Sequence, residues 1–319
     1  MTRRFDMTLA GELNLDLVLH GLPLAMPVER ELLASGFNMT LGSSSAILAH
    51  NMAKLGCAVG FAGLVGDDSM GRTAVEHLQR AGVDVGGVRV AEDGTATGVT
   101  VLLPHGGERH ILTYPGTMAD FTLADLSLGY LADSRHLHLS SLFLQSGLRP
   151  SVAELFRQMR AAGLTLSLDT NDDPEDNWDG VAELLPMVDV LLPNASEACR
   201  ITGCDRLERA VDQLAEAAPL VVVKCGADGA LLAQGSSRVR VPGVRVQPVD
   251  TIGAGDSFNA GFLSGYLRGH DPAECVRAGN ACAALSTLRP GGVEAFSDDA
   301  LRTSFLREHG PSFLQETVR

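Results

Sequence analysis

Short apolar runs alternate with stretches of helical periodicity through most of the chain, and this alternation is the strongest constraint on its fold. The runs end in turn residues and cover residues 59–66, 135–142, 164–169, 188–192 and 220–225. Helical patterns cover residues 44–55, 69–81, 151–162, 206–217, 256–268 and 272–287. Strands that alternate with helices form a mainly parallel sheet covered on both faces. The sequence therefore predicts an α/β fold of three layers, with the sheet between two layers of helices.

Two segments, at approximately residues 8–37 and 88–115, do not follow this alternation. Each contains short extended stretches separated by glycine and proline turns, with no convincing helix between them. Two such hairpins can pair into a small separate sheet, and we expect this sheet to stand over one end of the main sheet as a lid. No repeat, low-complexity tract or linker divides the chain, so residues 1–319 are predicted to form a single domain that carries this lid.

The charge of the chain argues against two classes of partner. Its 319 residues carry a formal charge of −14, which repels phosphate backbones and anionic lipids, so neither nucleic acid nor a membrane surface is expected. No stretch approaches the ~18 apolar residues of a membrane span. Glu12, Asn14 and Asp16 interrupt the N-terminal apolar run, which argues against a signal peptide. The six cysteines include no C-x-x-C pair, which indicates buried, reduced thiols in a cytoplasmic protein.

A glycine-rich turn before the helical stretch at 256–268 is the most informative segment for chemistry. It reads Asp250-Thr-Ile-Gly253-Ala254-Gly255-Asp256. Backbone N–H groups at the start of a helix lack internal partners and create a positive potential, which makes such a turn an anion site. Glycines at 253 and 255 let the backbone come close to a phosphate. Asp256 would oppose a bound anion, unless it accepts a proton from an attacking hydroxyl group while the amides stabilise the transferred phosphoryl group.

The alternative interpretation of this turn is an ordinary connection in which Asp256 only caps the helix. The flanking residues favour the functional interpretation, because Asp250-Thr251 before the turn and Ala260-Gly261-Phe262 after it resemble the second signature of the ribokinase-like (pfkB) family of carbohydrate and nucleoside kinases. The resemblance extends over nearly the whole chain. It implies a ribokinase-like fold with a β-sheet lid, ATP and Mg²⁺ as cofactors, Asp256 as general base, and the amides of the turn as an anion hole.

The resemblance also assigns residues to a sugar-like acceptor. These residues are Asn14, Asp16, Gly42, Ser43, Arg109 and Asn171. The neighbouring amide and carboxylate of Asn14 and Asp16 suit a polyol, although turn residues that bond their own backbone give the same pattern. Arg109, in a turn after Gly107, would reach the substrate or support the lid, whereas a lone arginine is often a solvated surface charge.

The chain departs from the family pattern near its first signature. That signature begins with two glycines and has an asparagine five residues after the first of them, where this chain has Ser43 and Ile47. In the family, this asparagine helps to bind the sugar. Its replacement leaves the acceptor undefined and argues against naming the protein a ribokinase.

Two further segments resemble the nucleotide-binding parts of the family. Lys224, Gly226 and Gly229 resemble a turn beside the ATP phosphates or ribose, and a plain hairpin, which is compatible with such a site, would look the same. Asn280 resembles a family residue that lines the adenine-binding site. The segment 289–292 resembles a loop that in some members holds a monovalent cation, so K⁺ is a further expected cofactor.

A metal role is implied by resemblance for Asn194 and Glu197. They resemble the N-x-x-E motif that helps to hold Mg²⁺ and its waters, and an N-capped helix would show the same local sequence. His136 and His138 alternate along an apolar strand without carboxylate or cysteine partners at ligand spacing. We therefore interpret them as hydrogen-bonded structural residues.

Other classes of protein are tested by their own motifs. A Walker A loop needs Gly-Lys-Ser/Thr, but Lys54 and Lys224 follow alanine and valine, which excludes that class. The glycines at 60, 63 and 66 do not have the spacing of a dinucleotide-binding turn. A nucleoside kinase of the same family and a non-catalytic sugar or nucleotide sensor remain open alternatives.

An exposed apolar lid face would favour a homodimer joined through the lids.

Overall fold

The computed structural model describes residues 3–105 and 108–317 of the chain. Within these residues there are thirteen strands and thirteen α-helices. The strands are β1 (Met7–Ala10), β2 (Leu15–His20), β3 (Gly36–Leu41), β4 (Val59–Val65), β5 (Asp84–Val90), β6 (Val99–His105), β7 (Glu108–Tyr114), β8 (His136–Ser140), β9 (Thr165–Asp169), β10 (Val190–Leu191), β11 (Leu220–Lys224), β12 (Ala230–Gln234) and β13 (Ser237–Val241). The helices are α1 (Ser44–Lys54), α2 (Ser69–Ala81), α3 (Thr117–Asp120), α4 (Leu128–Ala132), α5 (Val152–Ala161), α6 (Val181–Leu184), α7 (Ala195–Thr202), α8 (Leu207–Ala217), α9 (Ala254–Tyr266), α10 (Pro272–Ser286), α11 (Glu294–Ser297), α12 (Asp299–His309) and α13 (Ser312–Thr317).

Nine strands form the large sheet in the order β13-β12-β11-β10-β9-β8-β1-β4-β5. The strands from β5 to β11 pair in parallel, whereas β12 and β13 extend one edge as antiparallel hairpins. The order runs outward from β1 in both directions, and sheets of this kind bind ligands beyond the carboxyl ends of their strands near such a reversal. The predicted α/β fold with a mainly parallel sheet is confirmed.

Side chains of the large sheet alternate between two apolar cores, one on each face. On β11, Val222 lies in the core that contains Phe262 of α9, whereas Val221 and Val223 lie in the core that contains Val211 of α8. Because both faces are covered, strands such as β4 and β11 are apolar over nearly their whole length. This double burial explains why the strands were recognisable as short continuous apolar runs.

The small sheet has the order β3-β2-β6-β7, in which two antiparallel pairs are joined by the parallel pair β2–β6. Val18 and Leu102 of this lid form an apolar cluster with Ile252 of the glycine-rich turn. The predicted segments 8–37 and 88–115 began too early, because Met7–Ala10 and Asp84–Val90 belong to the large sheet. Met7–Ala10 is buried throughout between β4 and β8, a position that its short length did not reveal.

Other predictions about the chain have mixed outcomes. No helix formed by the described residues is both long and apolar enough to cross a membrane. All six cysteines are free thiols, but only Cys57, Cys275 and Cys282 are buried. His136 and His138 are buried and share hydrogen bonds of 2.7 Å with the Ser167 hydroxyl group, as expected of structural histidines.

Candidate active site

The glycine-rich turn presents open amides at the start of α9. Gly253 caps the helix with φ of 69°, and a Cβ atom at this position would lie 2.6 Å from the Cα atom of Gly292. The Ala254 N–H donates to the Thr251 carbonyl over 3.3 Å, so this amide is partly used within the protein. In the described part of the chain, the N–H groups of Gly255 and Asp256 have no acceptor. Of the predicted amides of Gly253, Ala254 and Gly255, only that of Ala254 has an acceptor among the described residues, and the Asp256 amide, which was not predicted, is open as well.

Asp256 lies in the first turn of α9 and is buried, with 8% of its surface exposed. Burial and repulsion by Asp169 raise the pKa of Asp256 to about 6, against the attraction of Lys224 and a hydrogen bond from Ser44. A carboxylate with such a pKa is ionised at neutral pH and accepts a proton more readily than an ordinary aspartate. The arrangement therefore fits a general base.

Asp16, Asn14 and Gly42 meet where the lid joins the large sheet. Burial and repulsion by Asp256 raise the pKa of Asp16 to about 7. A Cβ atom at Gly42 would lie 2.2 Å from Oδ1 of Asp16, so only glycine fits there. The Asn14 amide donates to Thr100 Oγ1 over 3.3 Å, and its buried Oδ1 has no partner among the described residues. Polar atoms are thus available for an acceptor beside the base.

Ser43 and Ile47 show what replaces the family residues at the start of α1. Ser43 adopts φ of 70°, a conformation typical of glycine, and its hydroxyl group is used within the protein by the Glu12 carbonyl and the Ala46 N–H. The Ile47 side chain packs against the turn, with its Cδ1 atom 3.3 Å from the position of a Cβ atom on Gly253. Ile47 is 3% exposed, and it places an apolar side chain where the family has an amide.

Two other predicted acceptor residues, Asn171 and Arg109, differ from each other in their surroundings. The Asn171 amide donates to Ser44 Oγ and its oxygen accepts from the Ser141 N–H, both over 2.9 Å, so Asn171 orients Ser44 beside Asp256. Arg109 projects from β7 with an exposed side chain and donates to Thr251 Oγ1 over 3.4 Å. No carboxylate of the described residues forms an ion pair with Arg109. Gly107 lies outside the described residues.

The predicted nucleotide residues Gly226 and Gly229 lie in the turn between β11 and β12, and Asn280 lies on α10. Gly226 and Gly229 have φ of 58° and 91° in the turn between β11 and β12, and a Cβ atom on Gly229 would lie 2.1 Å from the Val241 carbonyl. Asn280 donates to the carbonyls of Val241 and Pro242 over 3.3 and 3.0 Å. It borders a cleft of about 190 Å³, which is lined by Val241, Pro242, Val244, Arg277, Asn280 and His309. This partly apolar cleft suits a nucleotide base.

Lys224 reaches the glycine-rich turn. Its ammonium group forms an ion pair with Asp169 and lies 3.6 Å from the position of a Cβ atom on Gly255. Burial alone would lower the pKa of Lys224, but attraction by Asp169 and Glu197 raises it, so the group remains charged. A positive charge thus lies beside the open amides.

Asn194 and Glu197 form a reciprocal cap at the start of α7. The Glu197 N–H donates to Asn194 Oδ1 over 2.9 Å, and the Asn194 N–H donates to the Glu197 carboxylate over 2.8 Å. Burial and repulsion by Asp169 raise the pKa of Glu197 to about 7. The structural interpretation, an N-capped helix, is therefore confirmed, and the metal role of the two residues stays a prediction. The described residues contain no group of three acidic, histidine or cysteine side chains that could hold a metal ion.

Four residues of this site were not predicted, namely Glu12, Ser44, Asp169 and Asn259. Glu12 is buried and accepts hydrogen bonds from the N–H and hydroxyl groups of Ser45. Asp169 accepts hydrogen bonds from the Lys224 ammonium group and from the Asn259 amide. The available signal for Asp169 was its position at the carboxyl end of a predicted strand, two residues before Asn171.

Comparison with known proteins places the chain among kinases. The model of the pfkB family carbohydrate kinases matches residues 8–299. The 2-dehydro-3-deoxygluconokinase of Bacillus subtilis is 30% identical over 286 residues, which cover 85% of this chain and 88% of that protein. The ATP-dependent ribose-1-phosphate kinase of Halopiger xanaduensis is 33% identical over 268 residues, 84% of this chain and 86% of that protein. The structure of Arabidopsis thaliana ribokinase complexed with ribose and ATP matches with a TM-score of 0.82 and 25% identity, over 95% of this chain and 99% of that one. The chain therefore belongs to the pfkB family of carbohydrate kinases, as its signature residues predicted.

Proposed function

We propose catalytic roles and an acceptor class for this ATP-dependent carbohydrate kinase: it phosphorylates a hydroxyl group of an acidic sugar, with Asp256 as general base. The observation that carries the proposal is the grouping of a buried carboxylate, two open amides and the Lys224 ammonium at the start of α9. A carboxylate that accepts a proton and positive groups that receive an anion are the two requirements of phosphoryl transfer.

The proposed reaction proceeds in one displacement. Asp256 accepts the proton of the acceptor hydroxyl group, and the hydroxyl oxygen forms a bond to the γ-phosphorus atom. The bond between that phosphorus and the oxygen that bridges to the β-phosphate breaks, and ADP leaves with the electron pair. The N–H groups of Gly255 and Asp256, together with Lys224, stabilise the charge on the transferred group.

The nucleotide would extend from the cleft at Asn280, past Gly226 and Gly229, to the catalytic turn. Asn194 and Glu197 would hold Mg²⁺, which would neutralise negative charge on the nucleotide phosphates. Asn194 and Glu197 supply oxygen atoms, which suit Mg²⁺, and two protein residues suffice because this ion keeps several waters. These residues would hold the ion through water.

A monovalent cation such as K⁺ is part of the same proposal. The Asp250 carboxylate accepts from the N–H groups of Ile252 and Gly291 over 3.0 and 2.9 Å, and so joins the catalytic turn to the loop at 289–292. A cation that orders this loop would order the turn. Assays in K⁺, Na⁺ and tetramethylammonium buffers test this point, and equal rates would remove the cation from the proposal.

An acidic acceptor is supported by two observations. The names of the two curated relatives described above specify acceptors with a carboxylate or a phosphate group. Arg109 lies beside the turn as an exposed cation, and it is close enough to lower the pKa of Asp16 against the effect of burial. An arginine without an ion-pair partner in the described residues can bind such a group through two parallel hydrogen bonds. The apolar side chain of Ile47 suits a carbon that lacks a hydroxyl group.

A substrate panel tests the acceptor class. ADP release would be measured with ATP, Mg²⁺ and each of 2-dehydro-3-deoxygluconate, ribose 1-phosphate, ribose, fructose and adenosine. We expect the highest kcat/KM with an anionic acceptor, and Arg109→Met should raise the KM for it by about tenfold. The control Arg80→Met removes an exposed arginine that pairs with Glu76 on α2. A higher kcat/KM with a neutral sugar or with adenosine would refute the acidic acceptor.

The role of Asp256 has its own test. Asp256→Asn should lower kcat by about 10²–10⁴-fold, because proton transfer is lost, while ATP still binds. Calorimetric titration with an ATP analogue verifies binding. Activity that survives the substitution would remove Asp256 from its assigned role. A wild-type protein that binds ATP and sugars but transfers nothing would instead be a sensor.

A further inference from the structure

Asp169 takes part in no step of the proposed reaction, yet it pairs with Lys224 beside the glycine-rich turn. It ends β9, Lys224 ends β11, and β10 lies between these two strands. The side chains of Lys224 and Asp169 are 12% and 0% exposed in their ion pair. The same carboxylate oxygen of Asp169 accepts a hydrogen bond from the Asn259 amide on α9. Three elements of the fold thus meet at one buried carboxylate.

The ion pair determines where the Lys224 ammonium group lies. A lysine side chain has many rotamers, and holding one of them requires a fixed partner. Glu197 also attracts this ammonium group, so two carboxylates compete for one cation. The pair with Asp169 leaves the ammonium group 3.6 Å from the position of a Cβ atom on Gly255, beside the open amides. The hydrogen bond from Asn259 fixes the orientation of the carboxylate that holds it.

We propose that Asp169, oriented by Asn259, is a positioning residue that directs Lys224 at the γ-phosphoryl group of bound ATP. This inference rests on the proposed function for the identity of the nucleotide. A purely structural ion pair would stabilise the fold without affecting how the protein distinguishes ATP from ADP. The difference between these two roles is measurable without any acceptor.

The first experiment is a double-mutant cycle on nucleotide binding. Dissociation constants are measured for ADP and for the non-hydrolysable analogue AMP-PNP, each with Mg²⁺. The Kd for ADP divided by the Kd for AMP-PNP reports contact with the γ-phosphoryl group, because only AMP-PNP carries that group. We expect Lys224→Met to lower this ratio by about tenfold, and Asp169→Asn by roughly three- to tenfold. If Asp169 acts through Lys224, the double variant loses no more than Lys224→Met alone. An unchanged ratio in Asp169→Asn, or losses that add in the double variant, would overturn the inference.

Kinetics with an accepted sugar provide the second measurement. Asp169→Asn should lower kcat by about 10–100-fold and change the KM for the sugar less than about twofold. The reason is that a misplaced Lys224 ammonium group affects the transfer step more than it affects acceptor binding. The matched control is Asp189→Asn. Asp189 pairs with Arg160 and accepts from the Leu166 N–H near the opposite end of β9. The control should keep the kcat and the binding ratio of the wild type.

A variant that leaves the ion pair in place covers the case in which Asp169→Asn does not fold. Asn259→Ser removes only the second hydrogen bond to Asp169 and should lower kcat and the binding ratio in the same direction, by a smaller factor. In a protein that already carries Lys224→Met, Asn259→Ser should have no further effect on kcat or on the binding ratio. If the wild type transfers no phosphate to any acceptor, the proposed function fails, and the binding ratio still decides the role of Asp169.

Discussion

In its proposed role, Asp256 must be charged to accept a proton, although its surroundings oppose that charge. Burial and Asp169 raise its pKa to about 6, while Lys224 and Ser44 limit the change. The balance leaves a carboxylate that is ionised at neutral pH and more basic than an exposed aspartate. The residue thus owes its properties to neighbours that come from β9, β11 and α1.

The pKa of Asp256 predicts the pH dependence of catalysis. Only the ionised carboxylate accepts a proton, so kcat should fall as the pH decreases through about 6. The measurement is a profile of kcat between pH 5 and 9 at saturating acceptor and ATP. Asp169→Asn, which removes the carboxylate that repels the Asp256 carboxylate, should lower the midpoint. A midpoint near 4 in the wild type would contradict the proposed environment.

The same raised pKa predicts a cost in stability. A carboxyl group whose folded pKa exceeds its unfolded value stabilises the fold most below the unfolded value, and this contribution is lost as the pH rises through the folded value. For Asp256, the change from 3.8 to about 6 corresponds to at most about 3 kcal/mol at pH 8. Asp256→Asn should therefore melt at a higher temperature than the wild type at pH 8, and the difference should narrow at pH 5. A difference that does not depend on pH would indicate another cause.

Individual site residues were predictable where a local pattern determines their position. Gly253, Gly255 and Asp256 occur within four residues, and their conformation follows from one turn. The pair between Asp169 and Lys224 joins residues 55 positions apart. Their contact depends on the order of β9, β10 and β11, which the sequence does not state. The use of the Ala254 N–H within the protein likewise depends on how the turn folds.

At the level of elements, the start of α9 depends on a glycine for two reasons. Gly253 has positive φ, and a side chain there would collide with the backbone of Gly292. Gly253→Ala should therefore move the turn, lower kcat by at least about tenfold, and reduce stability by about 1–3 kcal/mol. Thermal melting and steady-state kinetics measure the two effects.

Gly235 offers a matched control for this substitution. It also has positive φ, of 54°, in the hairpin between β12 and β13, but a Cβ atom there would meet nothing within 4 Å. Gly235→Ala should reduce stability by about 1–2 kcal/mol and leave kcat unchanged. Equal kinetic effects in both variants would show that the contact with Gly292 is unimportant.

The elements themselves were predicted well where both faces of a strand are buried. The helix at Ser69–Ala81 and the strands Thr165–Asp169 and Leu220–Lys224 match their predicted positions within one residue. The lid bounds were less accurate because Met7–Ala10 is short and lies next to extended lid residues. Only its pairing with β4 and β8 shows that it belongs to the large sheet.

At the level of the whole molecule, one face of the lid has apolar side chains without cover. By the alternation of strands, Phe37 and Met39 of β3 lie on the same face as Leu112 and Tyr114 of β7. These four side chains are 64%, 45%, 55% and 53% exposed. Val18 and Leu102 lie on the opposite face, against the catalytic turn. The exposed face is therefore the outer one, which points away from the site.

An uncovered apolar face of this kind predicts a homodimer in which two lids pack together. Burial of this surface would stabilise the dimer and hold each lid over its own site, whereas charge at its centre would oppose association. The variant with both Met39→Lys and Leu112→Lys should elute as a monomer in size-exclusion chromatography with light scattering. Its KM for the acceptor should rise, because a mobile lid binds the acceptor less well. The control Val239→Lys changes an exposed apolar residue of β13 and should remain dimeric. A wild-type protein that is monomeric at micromolar concentrations would contradict the predicted contact between lids.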